Sequence, residues 1–448
     1  MESLQSAWFS PTGSKLRRMF YLVTPNETSF QYPEDVPEYE KEASPVFMTF
    51  VLVEAFVSLL FGHGKVRISD GLTSISAGIL SRIPLIFLRS GFLNMYQWIY
   101  NNYHIVKLEW NSPYTWILTL LVVDFSYYWF HRLAHETSIL WSAHQVHHSS
   151  EDYNFSTATR QSILQVYSGW AFYTPMALFV PISIYMVHEQ LNLLYQFWIH
   201  TEYIRSLGPL EHILNTPSHH RVHHGRNPYC IDKNYGGSLI IWDKLFGTFQ
   251  AEKEEVIFGL VSPINTFEPF TVQVCYWKHL WENWRQGRSL LNVLLRGPGW
   301  VPGQDPNECH IPEVEHPARK YTTEVSNLCS IYVLLHFTAV TYFFLTILSV
   351  NHLMPQESVL AVLVFIIYSL SCFGNIFDQR SYATYMEILR CGSALCISQL
   401  ANFQLLSEFY NEMIVKMIPW FYGISALLWI LSLVFGGSKQ QLKHQKTA

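Results

Sequence analysis

Residues 219–224 read HHRVHH, which places four histidines within six positions. Two other stretches are rich in histidine: HRLAHE at 131–136 and HQVHHSS at 144–150. The chain has 20 histidines in 448 residues, and 12 of them lie between positions 131 and 224. Because closely spaced imidazoles can bind metal ions, we expect the fold to bring these stretches together around metal.

The rest of the chain has the composition of a membrane protein. Charged residues make up 14% and aromatic residues 16%, whereas soluble domains carry about 25% charge. Long apolar runs occupy 45–61, 114–130, 163–199, 331–350 and 420–436. A bilayer is crossed by ~20 mostly apolar helical residues. We therefore predict an all-α integral membrane protein with a multi-pass core of eight or nine helices.

One apolar run explains how the histidine stretches could meet. The run 163–199 is 37 residues long and has Pro175 and Pro181 near its middle, which favours a helical hairpin that returns to the side it left. All histidine stretches could then lie on one membrane face.

Five regions follow from these patterns. They are an N-terminal arm (1–44), a histidine-bearing membrane core (45–250), a polar loop region (251–322), a C-terminal transmembrane helical block (323–437) and a basic tail (438–448). Basic residues favour the cytosolic side of a membrane, and Lys65 and Arg67 follow the first apolar run. We expect the histidines, the polar region and the tail to face the cytosol, and the arm with its sequon at Asn26 to face the lumen.

The histidine spacing predicts ligands. Residues four apart share a helix face, and eight histidines on three helical faces would offer about four nitrogen ligands to each of two metal ions. His200, at the end of the hairpin, is a ninth candidate, and His219 is the weaker member of its pair. The predicted ligands are His131, His135, His144, His147, His148, His200, His220, His223 and His224.

Imidazole alone does not identify the metal, since zinc, copper, iron and nickel all accept it. Structural zinc would need one closed set of four ligands, commonly with cysteine, and the seven cysteines are scattered. Two all-histidine centres beside a membrane point to oxygen chemistry on iron. Nucleic acid is not an expected partner, because the net charge is only -5 and no basic block occurs.

Polar residues near the clusters are further candidates. Glu136 follows His135 and is the predicted catalytic carboxylate, which would orient a ligand or handle protons; a plain surface glutamate is the alternative. Asp124 lies two helical turns before His131, where it could either approach the metal site or pair with a polar group of a neighbouring helix. In the stretch DKNYGG at 232–237, a predicted tight turn, Asp232 and Asn234 could hydrogen-bond to ligands, as could Asp243 beyond it.

The stretches HRLAH, HQVHH and HHRVHH, with the hairpin between the second and third, resemble the fatty acid hydroxylase and sterol desaturase superfamily over residues 75–250. This resemblance implies a diiron enzyme of the endoplasmic reticulum, with a four-helix membrane core capped by a cytosolic histidine-rich region.

Within that superfamily, residues 196–249 and the C-terminal block resemble the alkylglycerol monooxygenase family. This implies two iron ions, O2 and tetrahydrobiopterin as an electron donor, and an alkylglycerol or lyso-ether lipid as substrate. The enzyme would hydroxylate the carbon beside the ether oxygen, and the hemiacetal would break down to fatty aldehyde and glycerol. No pterin-binding residues can be assigned from the sequence, nor can an oligomeric state.

Two other functions stay open. A sterol or fatty acid hydroxylase or desaturase that uses cytochrome b5 would have the same histidines; the chain has no heme-binding H-P-G-G of a fused cytochrome. A histidine-rich metal transporter would need ligands near mid-membrane, whereas these clusters flank the apolar runs.

Overall fold

The structure is a computed structural model that describes residues 10–62, 65–88, 90–299, 311–400 and 412–446. Within these ranges the regular elements are helices, together with two isolated β-bridges. The all-α membrane class predicted from the sequence is confirmed. The chain forms two compact units: Met1–Ile264 with Val272–Lys320, and Asn265–Thr271 with Tyr321–Ala448. The predicted region limits are not tested by this division and stay predictions.

The histidine-bearing unit consists of long helices joined by short ones. Its α-helices are Pro11–Met19, Pro25–Thr28, Tyr39–Phe61, Ile68–Arg82, Leu85–Leu88, Ser90–Tyr103, Pro113–Glu136, Ser138–His148, Phe155–Ala158, Gln165–Ser168, Trp170–Tyr173, Ile182–Trp198, Pro217–His224, Ile241–Phe246 and Leu290–Leu295. Short 3-10 helices are Pro33–Asp35, Thr174–Leu178, Gly208–His212 and Pro228–Cys230. The helix Pro269–Arg285 begins in the other unit and continues into this one.

The second unit is a helical block. Its helices are Asn327–Val350, Asn351–Leu353 (3-10), Gln356–Phe377, Ala383–Leu400 and Glu412–Lys446. A buried ion pair of Glu387 and Arg390 lies inside it, and Arg390 also contacts His336 Nδ1 at 2.9 Å. Such a buried pair tolerates little change, because removing one partner leaves an uncompensated charge.

Four stretches in the described residues are long and apolar enough to cross a bilayer: Pro33–Phe61, Asn327–Leu353, Gln356–Phe377 and Lys416–Phe435. The expected count of eight or nine is therefore not reached among these residues. The helix Pro113–Glu136 has the length, at 24 residues, but Asp124 and its many tyrosines and tryptophans make it less apolar.

Prolines account for much of the difference between the predicted number of spans and the number of long apolar helices among the described residues. A further apolar stretch at 72–98 would cross the bilayer once if it were one helix, but it is interrupted at Pro84 and gives helices Ile68–Arg82 and Ser90–Tyr103, of 15 and 14 residues. Neither is long enough alone, since an α-helix rises only about 1.5 Å per residue. Proline cannot donate the backbone hydrogen bond that a continuous helix requires.

One half of the predicted hairpin is a single regular helix. Pro181 caps the helix Ile182–Trp198, and the first half of the run contains short helices and the 3-10 turn Thr174–Leu178. The helix Ile182–Trp198 ends two residues before His200. Its position therefore fixes where that histidine lies.

The described part of the N-terminal arm packs on this same helix. Met19 is buried against Tyr195 and Trp198, and Val36 and Tyr39 are buried with Leu191. The arm therefore braces the helix that leads to His200.

Candidate metal centre

Each predicted histidine ligand lies on a helix or beside a helix end. His131 and His135 occupy the last turns of Pro113–Glu136, and His200 follows Ile182–Trp198. The short helices Ser138–His148 and Pro217–His224 carry three each: His144, His147 and His148 on the first, and His220, His223 and His224 on the second. All nine are buried.

The structure divides these nine side chains into two groups. The first group is His131, His135, His144, His148 and His223; the second group is His147, His200, His220 and His224. Within each group the candidate ligand nitrogens lie within 4.8 Å of one another. His219 belongs to neither group.

The division crosses the sequence clusters, which spacing alone did not indicate. On Ser138–His148 the i, i+4 pair joins the first group and His147 joins the second. On Pro217–His224 the i, i+4 pair joins the second group and His223 joins the first. Neighbouring helical residues project about 100° apart, so each short helix reaches both groups and fixes their separation.

Backbone carbonyls orient four of the imidazoles through Nδ1. The contacts are His131 Nδ1 to Tyr235 O at 2.8 Å, His147 Nδ1 to Arg160 O at 3.1 Å, His200 Nδ1 to Gln196 O at 2.7 Å, and His223 Nδ1 to Lys233 O at 2.9 Å. A carbonyl only accepts, so each neutral imidazole carries its proton on Nδ1 and presents a lone pair on Nε2.

These lone pairs face one another. The Nε2 atoms of His147 and His200 lie 3.2 Å apart. Burial lowers the pKa of His147 to about 4, so the neutral, metal-binding form is favoured. Among the described residues, Nε2 of His135, His223 and His224 has no hydrogen-bond partner. Since unpaired buried acceptors are costly, this arrangement fits metal ions held at both groups.

Two of the predicted carboxylates hold the loop that supplies carbonyls. Buried Asp124 accepts from the amides of Ser238 and Leu239 and from Trp242 Nε1, at 2.7 to 3.1 Å. Buried Asp243 accepts from the amides of Tyr235 and Gly236, both at 2.8 Å. Asp124 and Asp243 therefore hydrogen-bond to the loop, and they position the imidazoles indirectly through its carbonyls.

The paired glycines allow this loop to pack closely. A Cβ atom on Gly236 would lie 2.4 Å from Leu239 O, and one on Gly237 would lie 2.9 Å from Tyr127 Cδ1 and Asn192 Oδ1. A side chain at either position would push the loop off Asp124 and Asp243.

The remaining predicted residues differ in their burial and in their contacts. Asn234 has φ 57° and donates to the carbonyls of His219 and Gln250 at 3.0 and 2.7 Å. Asp232 is half-exposed, with Oδ1 3.6 Å from His135 Nδ1. Glu136 is 39% exposed and pairs with Arg132 Nε at 2.8 Å. Its carboxylate is not part of either group, and its catalytic role stays a prediction.

Two residues that support the second group, Asp70 and Arg160, were not identified from the sequence. Arg160 is buried, pairs with Asp70 Oδ1 at 3.3 Å and donates to Ser149 Oγ at 2.9 Å. This fixes the segment whose carbonyl accepts from His147. A buried arginine outside a histidine stretch has no local sequence signature, so it could not be found without the fold.

Comparison with known proteins agrees with this centre. Residues 116–248 match the fatty acid hydroxylase family, and residues 329–416 match the alkylglycerol monooxygenase C-terminal domain. An alkylglycerol monooxygenase from Homo sapiens is 52% identical over 381 residues, which cover 84% of this chain and 86% of that protein. The chain belongs to the alkylglycerol monooxygenase family.

Two more relatives have this name. The protein from Xenopus tropicalis is 48% identical over 84% of this chain and 85% of its own length. The protein from Caenorhabditis elegans is 39% identical over 86% of this chain and 81% of its own. No solved structure gives a significant match. The sequence-based assignment to this family is confirmed, the chain is an oxidoreductase of the monooxygenase class, and its histidine groups fit a diiron site.

Proposed function

We propose that this protein is a tetrahydrobiopterin-dependent monooxygenase that hydroxylates the ether-linked carbon of alkylglycerols. The observation that carries the proposal is the combination of relatives named for that substrate with two buried all-histidine groups. The substrate would be an alkylglycerol or lyso-ether lipid, with O2 as oxidant and the pterin as donor of two electrons.

The reaction balances without a nucleophile from the protein. One oxygen atom enters the C-H bond beside the ether oxygen, and the other is reduced to water by the two electrons and two protons that the tetrahydropterin gives up as it is oxidised to the dihydropterin. The resulting hemiacetal breaks its carbon-oxygen bond to give fatty aldehyde and glycerol.

The chain's own residues would hold and shield the centre. Iron bound by the two groups would activate O2 for attack on an unactivated C-H bond, which side chains cannot do. The carbonyls of Tyr235, Lys233 and Arg160 fix the direction of the imidazoles, so little reorganisation is needed when metal binds. Burial of all nine histidines excludes bulk water from the centre.

We propose that the centre faces the cytosol at the endoplasmic reticulum membrane, the location that the family resemblance implies, and the contacts of the first span support the cytosolic side. Glu54, within Pro33–Phe61, accepts a hydrogen bond from Oγ1 of Thr201 at 2.6 Å. Thr201 is the residue directly after His200. Lys65 follows that span and pairs with Glu202 at 3.1 Å. The centre therefore lies near the basic end of the span, and basic residues favour the cytosol.

The test uses microsomes that contain wild type, His148→Ala or His104→Ala. His148 belongs to the first group, whereas His104 is exposed and lies outside both groups. With an alkylglycerol, O2 and tetrahydrobiopterin, we expect aldehyde from wild type and His104→Ala and none from His148→Ala. Omitting the pterin should abolish the product.

The same microsomes separate the rival reaction. If the wild type leaves the ether intact but oxidises a sterol or fatty acyl chain with cytochrome b5, the assignment to ether cleavage is wrong. A requirement for His148 in that reaction would still place oxidation at the histidine groups.

A further inference from the structure

Tyr235 packs its ring against the first histidine group. Its ring centroid lies 5.3 Å from that of His135, 5.8 Å from His131 and 6.1 Å from His223. Its backbone is held on both sides, because its amide donates to Asp243 and its carbonyl accepts from His131. The backbone position from which the ring projects is therefore fixed by the loop.

The hydroxyl of this side chain is buried without a protein partner. Tyr235 has 0% exposure, and its hydroxyl makes no hydrogen bond among the described residues. An unpaired buried hydroxyl destabilises a protein, so phenylalanine would fill the site better if packing were the only role.

The second group shows the contrast. Tyr153 stacks on His200 with ring centroids 5.5 Å apart, and it is also buried. Its hydroxyl, however, donates to Ile199 O at 2.9 Å. Of these two tyrosines, Tyr153 has its hydroxyl paired, whereas the hydroxyl of Tyr235 has no hydrogen-bond partner among the described residues and is left for a ligand.

We propose that the Tyr235 hydroxyl donates a hydrogen bond to a small oxygen ligand, water or a species derived from dioxygen, beside the first histidine group. The proposal rests on the proposed function for its consequence in turnover. Its binding part depends only on metal at the first group. The hydroxyl would favour oxygen chemistry at one side of the centre and limit the release of partly reduced oxygen.

The first experiment measures azide binding to the iron-loaded full chain in lipid nanodiscs. Azide is a small anion that accepts hydrogen bonds, so it reports the donor without lipid substrate or pterin. We expect Tyr235→Phe to keep wild-type iron content and to bind azide about tenfold more weakly. Tyr96→Phe is the matched control, because Tyr96 is equally buried but donates to Val180 O at 3.1 Å, outside both groups.

The second experiment compares thermal unfolding of the metal-free proteins. Tyr235→Phe should melt no lower than wild type, because no protein hydrogen bond is lost. Tyr96→Phe and Tyr153→Phe should both melt lower. A lower melting temperature or lower iron content for Tyr235→Phe would show a structural role and overturn the proposal, as would unchanged azide affinity.

Turnover then distinguishes this proposal from the proposed function. With an alkylglycerol and tetrahydrobiopterin, Tyr235→Phe should release several times more hydrogen peroxide per pterin oxidised than wild type. If wild type cleaves no ether, the proposed function is wrong, and the azide result still decides the role of Tyr235.

Discussion

The Nε2 atoms of His147 and His200 lie 3.2 Å apart although each imidazole already directs Nδ1 to a backbone carbonyl. Two lone pairs at this distance repel unless a cation lies between them. The backbone therefore contributes to metal binding at the second group as much as the side chains do, because its carbonyls orient the imidazoles.

Adjacent histidines should differ sharply in iron binding. His220 belongs to the second group, whereas His219 directs its ring toward Phe249, with centroids 5.4 Å apart. We expect His220→Ala to lower the iron content from two ions to about one per chain, and His219→Ala to retain both. Metal analysis of the purified variants measures this. Equal loss in both variants would mean that the groups are assigned wrongly.

Removing metal should destabilise the wild type. Chelation leaves the apposed Nε2 atoms of His147 and His200 without a cation, and ligand binding stabilises a folded protein by about 2.7 kcal/mol at 100 times the dissociation constant. We expect a lower melting temperature after chelation and recovery when ferrous iron is added back. A His147→Ala/His200→Ala double variant should show a smaller change, because its second group has lost two ligands.

Asp124 should control iron affinity without touching iron. An asparagine at this position would direct an amide N-H toward the N-H groups that now donate to the carboxylate. The loop that carries Lys233 and Tyr235 would therefore shift. Loss of a group that orients ligands typically lowers metal affinity about 10- to 100-fold. Titration with a competing chelator should show this for Asp124→Asn but not for exposed Asp35→Asn. Wild-type affinity in both variants would exclude this role for Asp124.

These contacts show what the sequence could and could not predict. The nine candidate ligands were visible because imidazoles recur at helical spacing, and the membrane class because apolar runs are long. The assignment of His147 and His223 to opposite groups was not visible, since it depends on how two short helices face each other. Carbonyls such as those of Arg160 and Gln196 have no signature, because every residue has one.

Within the part of the chain that the structure describes, the candidate spans are fewer than predicted for a related reason. Residues 72–82 and 182–199 are largely buried, but Pro84 follows the end of Ile68–Arg82 and Pro181 caps the start of Ile182–Trp198. Burial inside a protein and exposure to lipid require similar residues, so composition alone does not separate them.

The arm should carry an N-linked glycan if it faces the lumen. Asn26 is exposed on the helix Pro25–Thr28, and Thr28 Oγ1 accepts from Trp116 Nε1 at 2.9 Å. Trp116 precedes His131 by 15 residues on one helix, which separates the two by ~22 Å. We expect an endoglycosidase-sensitive shift that Asn26→Gln abolishes and Asn154→Gln, at the buried second sequon, leaves. A shift that only Asn154→Gln removes would reverse the proposed orientation.

The buried pair of Asp70 and Arg160 should couple folding to the second group. Breaking a buried ion pair typically costs about 3 to 5 kcal/mol, and here it also releases the carbonyl that holds His147. We therefore expect Asp70→Asn to lower both the melting temperature and the iron content. The exposed pair of Lys278 and Glu282, 3.9 Å apart, gives a control, because Glu282→Gln should change neither. If Asp70→Asn lowers the melting temperature but retains two irons, the pair stabilises the fold without orienting His147.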